Sequence, residues 1–180
     1  MADLDARLAA VLGEIQKRGG IGSQPIRDAI EHSDRFVGAC PADAAVGVDL
    51  GSGGGLPALV IAVRRPELEL HLVERRATRA DLLRYGVTAL GLDAQVHVHG
   101  TDVRTFAALG VVIDVVTARS FAALAATVSA AAELVRPGGV ILVSASPAER
   151  PLCPALLDDL SVVDDGVQHG IHRYRRVLLE

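Results

Sequence analysis

The chain has 180 residues, half of them hydrophobic, and a mean hydropathy of +0.34, so it is long enough to bury one sizeable core. Its 22 acidic and 18 basic residues give a net charge of −4, which argues against strong non-specific binding to nucleic acid. Apolar runs are interrupted within about ten residues, short of the roughly 20 that a membrane span requires, and the N-terminus lacks a signal peptide's basic start. We therefore expect a cytoplasmic protein. The two cysteines and six histidines fall at no ligand spacing, so neither disulfides nor a metal site is predicted.

Apolar periodicity predicts two helices ahead of a sheet. Residues 4–15 repeat apolar side chains at helical spacing, and a second helix is predicted from Ser23, with Pro25 in its first turn. The alternation that follows predicts an α/β fold, a mostly parallel sheet with helices on both faces. Its strands are predicted at about 46–50, 69–74, 95–99, 112–117 and 139–144, and its helices at about 57–65, 77–90 and 120–135.

The C-terminal part is predicted to close the sheet with an antiparallel hairpin. SVVDD (161–165) and RYRRVLLE (173–180) are strand-like, and the short connection GVQHGIH lies between them. No repeat or linker interrupts the chain. We therefore predict one domain over residues 1–180, with an N-terminal helical part at 1–40 and a Rossmann-like core at 41–180.

The stretch VDLGSGGGLPALVIA (48–62) places four glycines within five positions between a strand and a helix. Glycine lets the backbone approach a ligand closely, and free amides at a helix N-terminus favour polar or anionic groups. An acid at the strand end could contact the ligand or could order the loop instead. The stretch predicts a nucleotide-binding loop that consists of Asp49, Gly51, Ser52, Gly53, Gly55 and Leu56.

A second acidic position completes this pattern. The second strand ends in LHLVE, nineteen residues beyond Gly55, where a carboxylate can accept both hydroxyls of a ribose. We predict that Glu74 is the ribose ligand; the alternative is a solvated charge cluster with the RRATR that follows.

Three features together resemble the class I S-adenosylmethionine-dependent methyltransferases. They are the D-x-G-x-G-x-G spacing that begins at Asp49, the Pro-Gly-Gly turn in LVRPGGVILV, and the closing hairpin. The segment GGGLPA also fits the dinucleotide fingerprint, so a nicotinamide enzyme is the alternative. The resemblance implies a Rossmann-like sheet and S-adenosylmethionine as cofactor.

The stretches VDLGSGGGLPALVIA, LVERRATRADLLR and IDVVTARSFAAL are similar to the methyltransferase G family of small-subunit ribosomal RNA, also called the glucose-inhibited division protein B family. The similarity runs from about Ile30 to the C-terminus. It implies methyl transfer to ring nitrogen 7 of a guanine in that RNA. It also implies that the cofactor contacts Glu74, the region Asp102, Val103 and Arg104, and Arg119.

The chain departs from the family pattern at several positions. Ala58 replaces the last glycine of the loop motif, and GTDVRTF stands where the family has R-A-E. EHSDR keeps Asp34, whereas the histidine of H-x-x-D-S is either shifted or lost, and Ala145 replaces a lysine. Arg119 and Arg173 are therefore predicted to contact the substrate in its place.

These departures leave two alternatives, a methyltransferase for a small molecule and a cofactor-binding paralogue without catalysis. A basic rim formed around the pocket by Arg75, Arg76, Arg119 and Arg173 would favour an RNA substrate, whereas an acidic rim would oppose one.

No catalytic residue is predicted, because guanine nitrogen 7 carries its own lone pair and needs alignment rather than a base. For a hydroxyl or carbon acceptor, His32, His99 or His172 would be the candidate base. Two site residues also have purely structural interpretations. Asp102 could only cap the helix that follows, and Arg119 could pair with Asp114 or a helix end.

Overall fold

The computed structural model describes residues 2–144 and 151–178, in which helices and strands alternate along the chain. The helices are α1 (Ala2–Lys17), α2 (Ile26–Ala39), α3 (Ala58–Arg64), α4 (Ala77–Leu90), α5 (Val103–Ala107), α6 (Leu124–Leu134) and α7 (Pro154–Asp159). The strands are β1 (Val46–Leu50), β2 (Glu69–Val73), β3 (Val96–His99), β4 (Ile113–Arg119), β5 (Val135–Ser144), β6 (Val162–Gln168) and β7 (Ile171–Arg176).

All seven strands form one sheet in the order β3-β2-β1-β4-β5-β7-β6. The pairs among β1 to β5 are parallel, whereas β7 is antiparallel to both β5 and β6. This arrangement confirms the predicted α/β class with a C-terminal antiparallel hairpin. Because β1, β2 and β4 run in the same direction, the residues that follow them meet at one edge of the sheet.

Helices cover both faces of the sheet, as predicted. Strand alternation sends Leu70 and Leu72 into a cluster with α1 to α4, while Val48 and Leu50 join a second cluster with α5 and α6. α1 and α2 contribute buried side chains, Leu12 and Phe36 among them, to the first cluster. This packing supports the prediction of a single domain, which stays a prediction.

Several predicted boundaries were wrong for local backbone reasons. α2 begins at Ile26, because Pro25 has an extended ψ of 133° and lies before the helix instead of in its first turn. α6 begins at Leu124 and not near residue 120, since Ser120 has a φ of +54°. β5 already begins at Val135, and the Pro-Gly-Gly segment forms an irregularity in its pairing with β4, where Ile113 pairs with Val135 but Val115 pairs with Val140.

The hairpin connection is also shorter than GVQHGIH. β6 and β7 extend into it until only His169 and Gly170 separate them, with φ values of +54° and +76°. Positive φ at both central residues matches the twist of the flanking strands, so a two-residue turn suffices. Residues 179–180 of the second run, like Ala145, lie outside the described residues.

No helix within residues 2–144 and 151–178 is long and apolar enough to cross a membrane.

Candidate functional site

A cavity of about 650 Å³ lies where β1, β2 and β4 end. Gly51 lines it from the loop after β1, and residues 120–122 line it from the loop after β4. The remaining lining comes from residues 73–76 and 79 at the β2–α4 junction and from residues 101–104 at the start of α5. The carboxyl edge of a parallel sheet is the usual position of a ligand site in such folds.

The glycine loop after β1 is shaped by close packing at three of its four glycines. A Cβ atom on Gly54 would lie 2.5 Å from the Gly20 carbonyl oxygen, and one on Gly55 would lie 2.5 Å from a methyl carbon of Leu59. A Cβ on Gly51 would lie 2.7 Å from the Phe121 ring. Because glycine has no side chain, the turn after α1, α3 and the loop after β4 can approach the backbone this closely.

Gly53 differs, because a Cβ there would have no neighbour closer than 3.7 Å although its φ is +54°. Its amide donates a 3.0 Å hydrogen bond to Oε2 of Glu74, and Oε1 of the same carboxylate accepts one of 2.8 Å from the Arg76 amide. Glu74 is buried and lines the cavity. Each of its oxygens keeps a second lone pair, so the carboxylate can still accept hydroxyl groups.

Asp49 lies below the loop and does not line the cavity. Its Oδ1 accepts a 2.6 Å hydrogen bond from Thr117 of β4, and its backbone carbonyl accepts one of 2.9 Å from Ser52, so Asp49 links both β4 and the loop to β1. Burial raises the pKa of the Asp49 carboxyl from 3.8 to about 6, although the hydrogen bond from Thr117 and the charge of Arg119 oppose the rise. Its Oδ2 has no hydrogen-bond partner among the described residues.

Arg119 follows Thr117 on the same face of β4, so its side chain lies on the α2 side of the sheet. It is half-buried, and its Nη1 has no hydrogen-bond partner in the described part of the chain. Burial lowers the pKa of its guanidinium, while the charge of Asp49 acts in the opposite direction. Asp49 and Arg119 therefore present two opposite, incompletely paired charges behind the glycine loop.

Asp102, Val103 and Arg104 all line the cavity, together with Thr101. Oδ1 of Asp102 accepts a 2.8 Å hydrogen bond from the Thr105 amide, so Asp102 does cap α5. This bond is the main cause that lowers the pKa of the Asp102 carboxyl. Its structural interpretation is thus supported, and its position in the lining leaves the cofactor prediction open.

The predicted basic residues divide into two groups. Arg75 and Arg76 line the cavity, as do Arg79 and Arg104. Arg173 does not: it donates a 2.8 Å hydrogen bond to the Ala39 carbonyl and lines a second cavity of about 130 Å³. The second cavity includes Asp43 and Asp114, which precede or begin strands, so it opens at the opposite edge of the sheet.

Other residues named from the sequence lie outside the cavity lining. Asp34 pairs with Arg64 at 3.1 Å, between α2 and α3. Asp114 pairs with Arg136 at 2.6 Å, so Arg119 is not its partner. Of the predicted cofactor residues, the cavity lining includes Gly51, Glu74, Asp102, Val103 and Arg104, but not Asp49, Ser52, Gly53, Gly55, Leu56 or Arg119.

None of the three histidines considered as a base lines the cavity. His99 Nε2 lies 2.9 Å from His71 Nδ1, on the neighbouring strand. His97 also belongs to this cluster, and its Nε2 lies 3.2 Å from the Glu69 carboxylate. Within residues 2–144 and 151–178, no group of three or more His, Cys, Asp or Glu side chains has a geometry that could hold a metal ion.

Sequence reasoning assigned no role to Arg79, Thr101, Ser120, Phe121 or Ala122, although all five line the cavity. Ser120 stands out only once the structure is known, because its φ of +54° is uncommon for a residue other than glycine. The positions themselves follow from topology, because each lies just after β3 or β4 or in the first turn of α4.

Comparison with known proteins relates the chain to methyltransferases. The family model GidB, rRNA small subunit methyltransferase G, matches residues 21–149. The ribosomal RNA small subunit methyltransferase G of Acidothermus cellulolyticus is 42% identical over 95 residues, which are 53% of this chain and 41% of that protein. That of Acidiphilium cryptum is 44% identical over 94 residues, 52% of this chain and 42% of that protein. The matched stretch thus spans about two fifths of these relatives.

Solved structures support the fold. An O-methyltransferase family protein from Burkholderia thailandensis has a TM-score of 0.58 at 22% identity and covers 88% of this chain and 57% of that one. Coclaurine N-methyltransferase, bound to N-methylheliamine and SAH, has a TM-score of 0.58 at 16% identity, and the match covers 68% of this chain and 37% of that one. The fold is therefore that of known methyltransferases. Because the family model matches well over half of this chain, the chain belongs to the rRNA small subunit methyltransferase G (GidB) family.

Proposed function

We propose that the chain is an S-adenosylmethionine-dependent methyltransferase that acts on small-subunit ribosomal RNA in the cytoplasm. The observation that carries the proposal is the position of Glu74 in the cavity that the glycine loop borders. Its buried carboxylate receives the amides of Gly53 and Arg76 and retains free lone pairs toward the cavity. This is the place of the ribose acid in nucleotide-binding folds of this topology.

The residues present fit the remainder of such a cofactor. When bound, S-adenosylmethionine supplies an electrophilic methyl group on a sulfonium centre. Glu74 would hold the ribose hydroxyls, and the segment from Thr101 to Arg104 would border the adenine. Gly51 and Gly53 would border the amino-acid end, with the incompletely paired charges of Asp49 and Arg119 behind them. A zwitterionic amino-acid group can complement a carboxylate and a guanidinium of this kind.

The cavity lining supports an acceptor that needs no deprotonation. The lining within residues 2–144 and 151–178 contains no histidine, and its two carboxylates, Glu74 and Asp102, both accept hydrogen bonds from backbone amides. Guanine nitrogen 7 offers a lone pair directly, so orientation of the base in the cavity is sufficient. The ring-nitrogen-7 assignment rests on the family resemblance.

The proposal is tested by incubating the purified protein with methyl-labelled S-adenosylmethionine and ribosomal RNA from a strain that lacks the family's enzyme. We expect label in small-subunit RNA, recovered as 7-methylguanosine after digestion. Glu74→Ala should reduce it strongly, since removal of one partner of a charged hydrogen bond costs about 1.5–3 kcal/mol. If RNA remains unlabelled while the cofactor binds, the ribosomal proposal is wrong and the small-molecule or non-catalytic alternatives replace it.

A further inference from the structure

Most arginines of the protein have partners within it. Of the sixteen arginines that the structure describes, ten donate to a carboxylate or a backbone carbonyl. Six make no side-chain hydrogen bond or ion pair within residues 2–144 and 151–178. Arg35 and Arg119 lie near His32, whose pKa burial lowers and both charges lower further. The other four are Arg75, Arg76, Arg79 and Arg104, and all of them line the cavity.

The charges of the cavity are therefore unbalanced. Among the described residues, four arginines but only two acidic residues, Glu74 and Asp102, line it. Both carboxylates accept hydrogen bonds from backbone amides, and neither forms an ion pair with an arginine within residues 2–144 and 151–178. Four of the six arginines without a partner in the described chain thus lie at one opening of a protein whose net charge is −4.

The cofactor does not explain this concentration. S-adenosylmethionine carries a sulfonium, an ammonium and one carboxylate, so its net charge is positive and it has no phosphate group. Guanidinium groups beside its adenosine half would gain no anionic partner. An anion that arrives with the methyl acceptor would supply such a partner, and a guanidinium fork is suited to phosphate oxygens.

The four arginines lie on one side of the opening. Arg75, Arg76 and Arg79 are at the junction of β2 with α4, and Arg104 is in the first turn of α5, which follows the neighbouring strand β3. Residues 120–122, after β4, border the other side. Arg75, Arg76 and Arg104 are exposed, so their guanidinium groups are accessible to a ligand larger than the cavity.

We propose that Arg75, Arg76, Arg79 and Arg104 bind the phosphate backbone of the RNA substrate along the β2–β3 side of the cavity. The acceptor base then enters from the side of residues 120–122. This inference rests on the proposed function and assigns the phosphate contacts to these residues in place of Arg119 and Arg173. It also reconciles an acidic protein with an RNA substrate, because the basic surface is local.

The test is the salt dependence of RNA binding, measured by fluorescence polarisation with a labelled single-stranded fragment of small-subunit ribosomal RNA. The double variant Arg75→Gln/Arg76→Gln is compared with Arg27→Gln/Arg175→Gln. The control arginines are also accessible but are paired with Glu31 and Asp165 on other parts of the surface. Circular dichroism confirms that each variant is folded, and calorimetry with S-adenosylhomocysteine measures the cofactor site separately.

We expect the first variant to flatten the slope of log affinity against log salt by about 1.4, because each phosphate contact on a single strand contributes about 0.7. The control should leave the slope unchanged, and both variants should bind S-adenosylhomocysteine like the wild type. Equal slopes in the two variants, or loss of cofactor binding in the first alone, would overturn the inference. Methyl transfer to RNA together with an unchanged slope would support the proposed function but refute the proposed role of the arginines. An arginine-dependent slope without methyl transfer would refute the function and not the surface.

Discussion

The carboxylate of Asp49 should lower the stability of the protein at neutral pH, and Asp49→Asn should show by how much. The side chain is 1% exposed, and its Oδ2 has no hydrogen-bond partner in the described chain. Burial raises its pKa from 3.8 to about 6, so the folded state holds the proton more tightly than the unfolded state. The associated stability is fully present below pH 3.8 and is lost as the pH rises through about 6.

The loss follows from the two pKa values. They differ by about two pH units, and each unit corresponds to about 1.4 kcal/mol, so the free energy of unfolding falls by about 3 kcal/mol in all. About 1 kcal/mol of this is lost by pH 4.5, and about 2 kcal/mol between pH 4.5 and pH 8. Asparagine has the same shape and does not ionise, so its stability lacks this pH dependence.

Urea denaturation of both proteins at pH 4.5 and pH 8 measures the effect. The stability of Asp49→Asn relative to the wild type should rise by about 2 kcal/mol between these pH values. Any constant cost of burying the asparagine amide cancels in this comparison, as do the contributions of histidines that both proteins share. A relative stability that does not change with pH would refute the reasoning, because it would mean that Asp49 ionises alike in both states.

Two further predictions concern the glycine loop and the histidine cluster. Gly53→Ala should retain the fold and weaken S-adenosylhomocysteine binding, since the added Cβ has room but the φ of Gly53 is +54°. Gly55→Ala should instead lower the free energy of unfolding by about 1–3 kcal/mol through the 2.5 Å contact with Leu59. Circular dichroism melts and calorimetry separate these outcomes, and equal losses of stability in the two variants would contradict them. Burial lowers the pKa of His71 and of His99, so stability that is present above pH 6.5 should be lost as the pH falls below 6.5. His71→Gln should reduce this loss of stability in melts from pH 7.5 to pH 5.5. An unchanged loss would show that the histidine cluster is not the source of the pH dependence.

The sequence was most informative where one residue type has a local physical role. Glycines at 51–55 and an acid at the end of β2 predicted a ligand site at the sheet edge, and the structure places Gly51 and Glu74 in the lining of one cavity. Asp102 was recognised both as a possible cap and as a site residue, and it caps α5 within the lining. In each case the neighbours along the chain determine the local conformation.

Sequence reasoning was least informative where tertiary packing decides the surroundings of a side chain. Arg173 looked like an available cation, but the register of β7 against β5 places its side chain near the Ala39 carbonyl and Asp165. His71, His97 and His99 looked scattered, yet β2 and β3 pair in a register that brings them together. Spacing along the chain does not reveal which strands become neighbours, so neither arrangement was predictable from the pattern alone.

The most direct measurement of the central claim, that the cavity at Glu74 holds S-adenosylmethionine, is calorimetric titration of the wild type and Glu74→Ala with S-adenosylhomocysteine and a nicotinamide dinucleotide. We predict that the wild type binds S-adenosylhomocysteine at one site and not the dinucleotide, and that Glu74→Ala weakens binding about tenfold or more, since the lost hydrogen bonds to a charged group are worth about 1.5–3 kcal/mol. Heat from the dinucleotide alone, or equal affinity of the two proteins for S-adenosylhomocysteine, would contradict the claim.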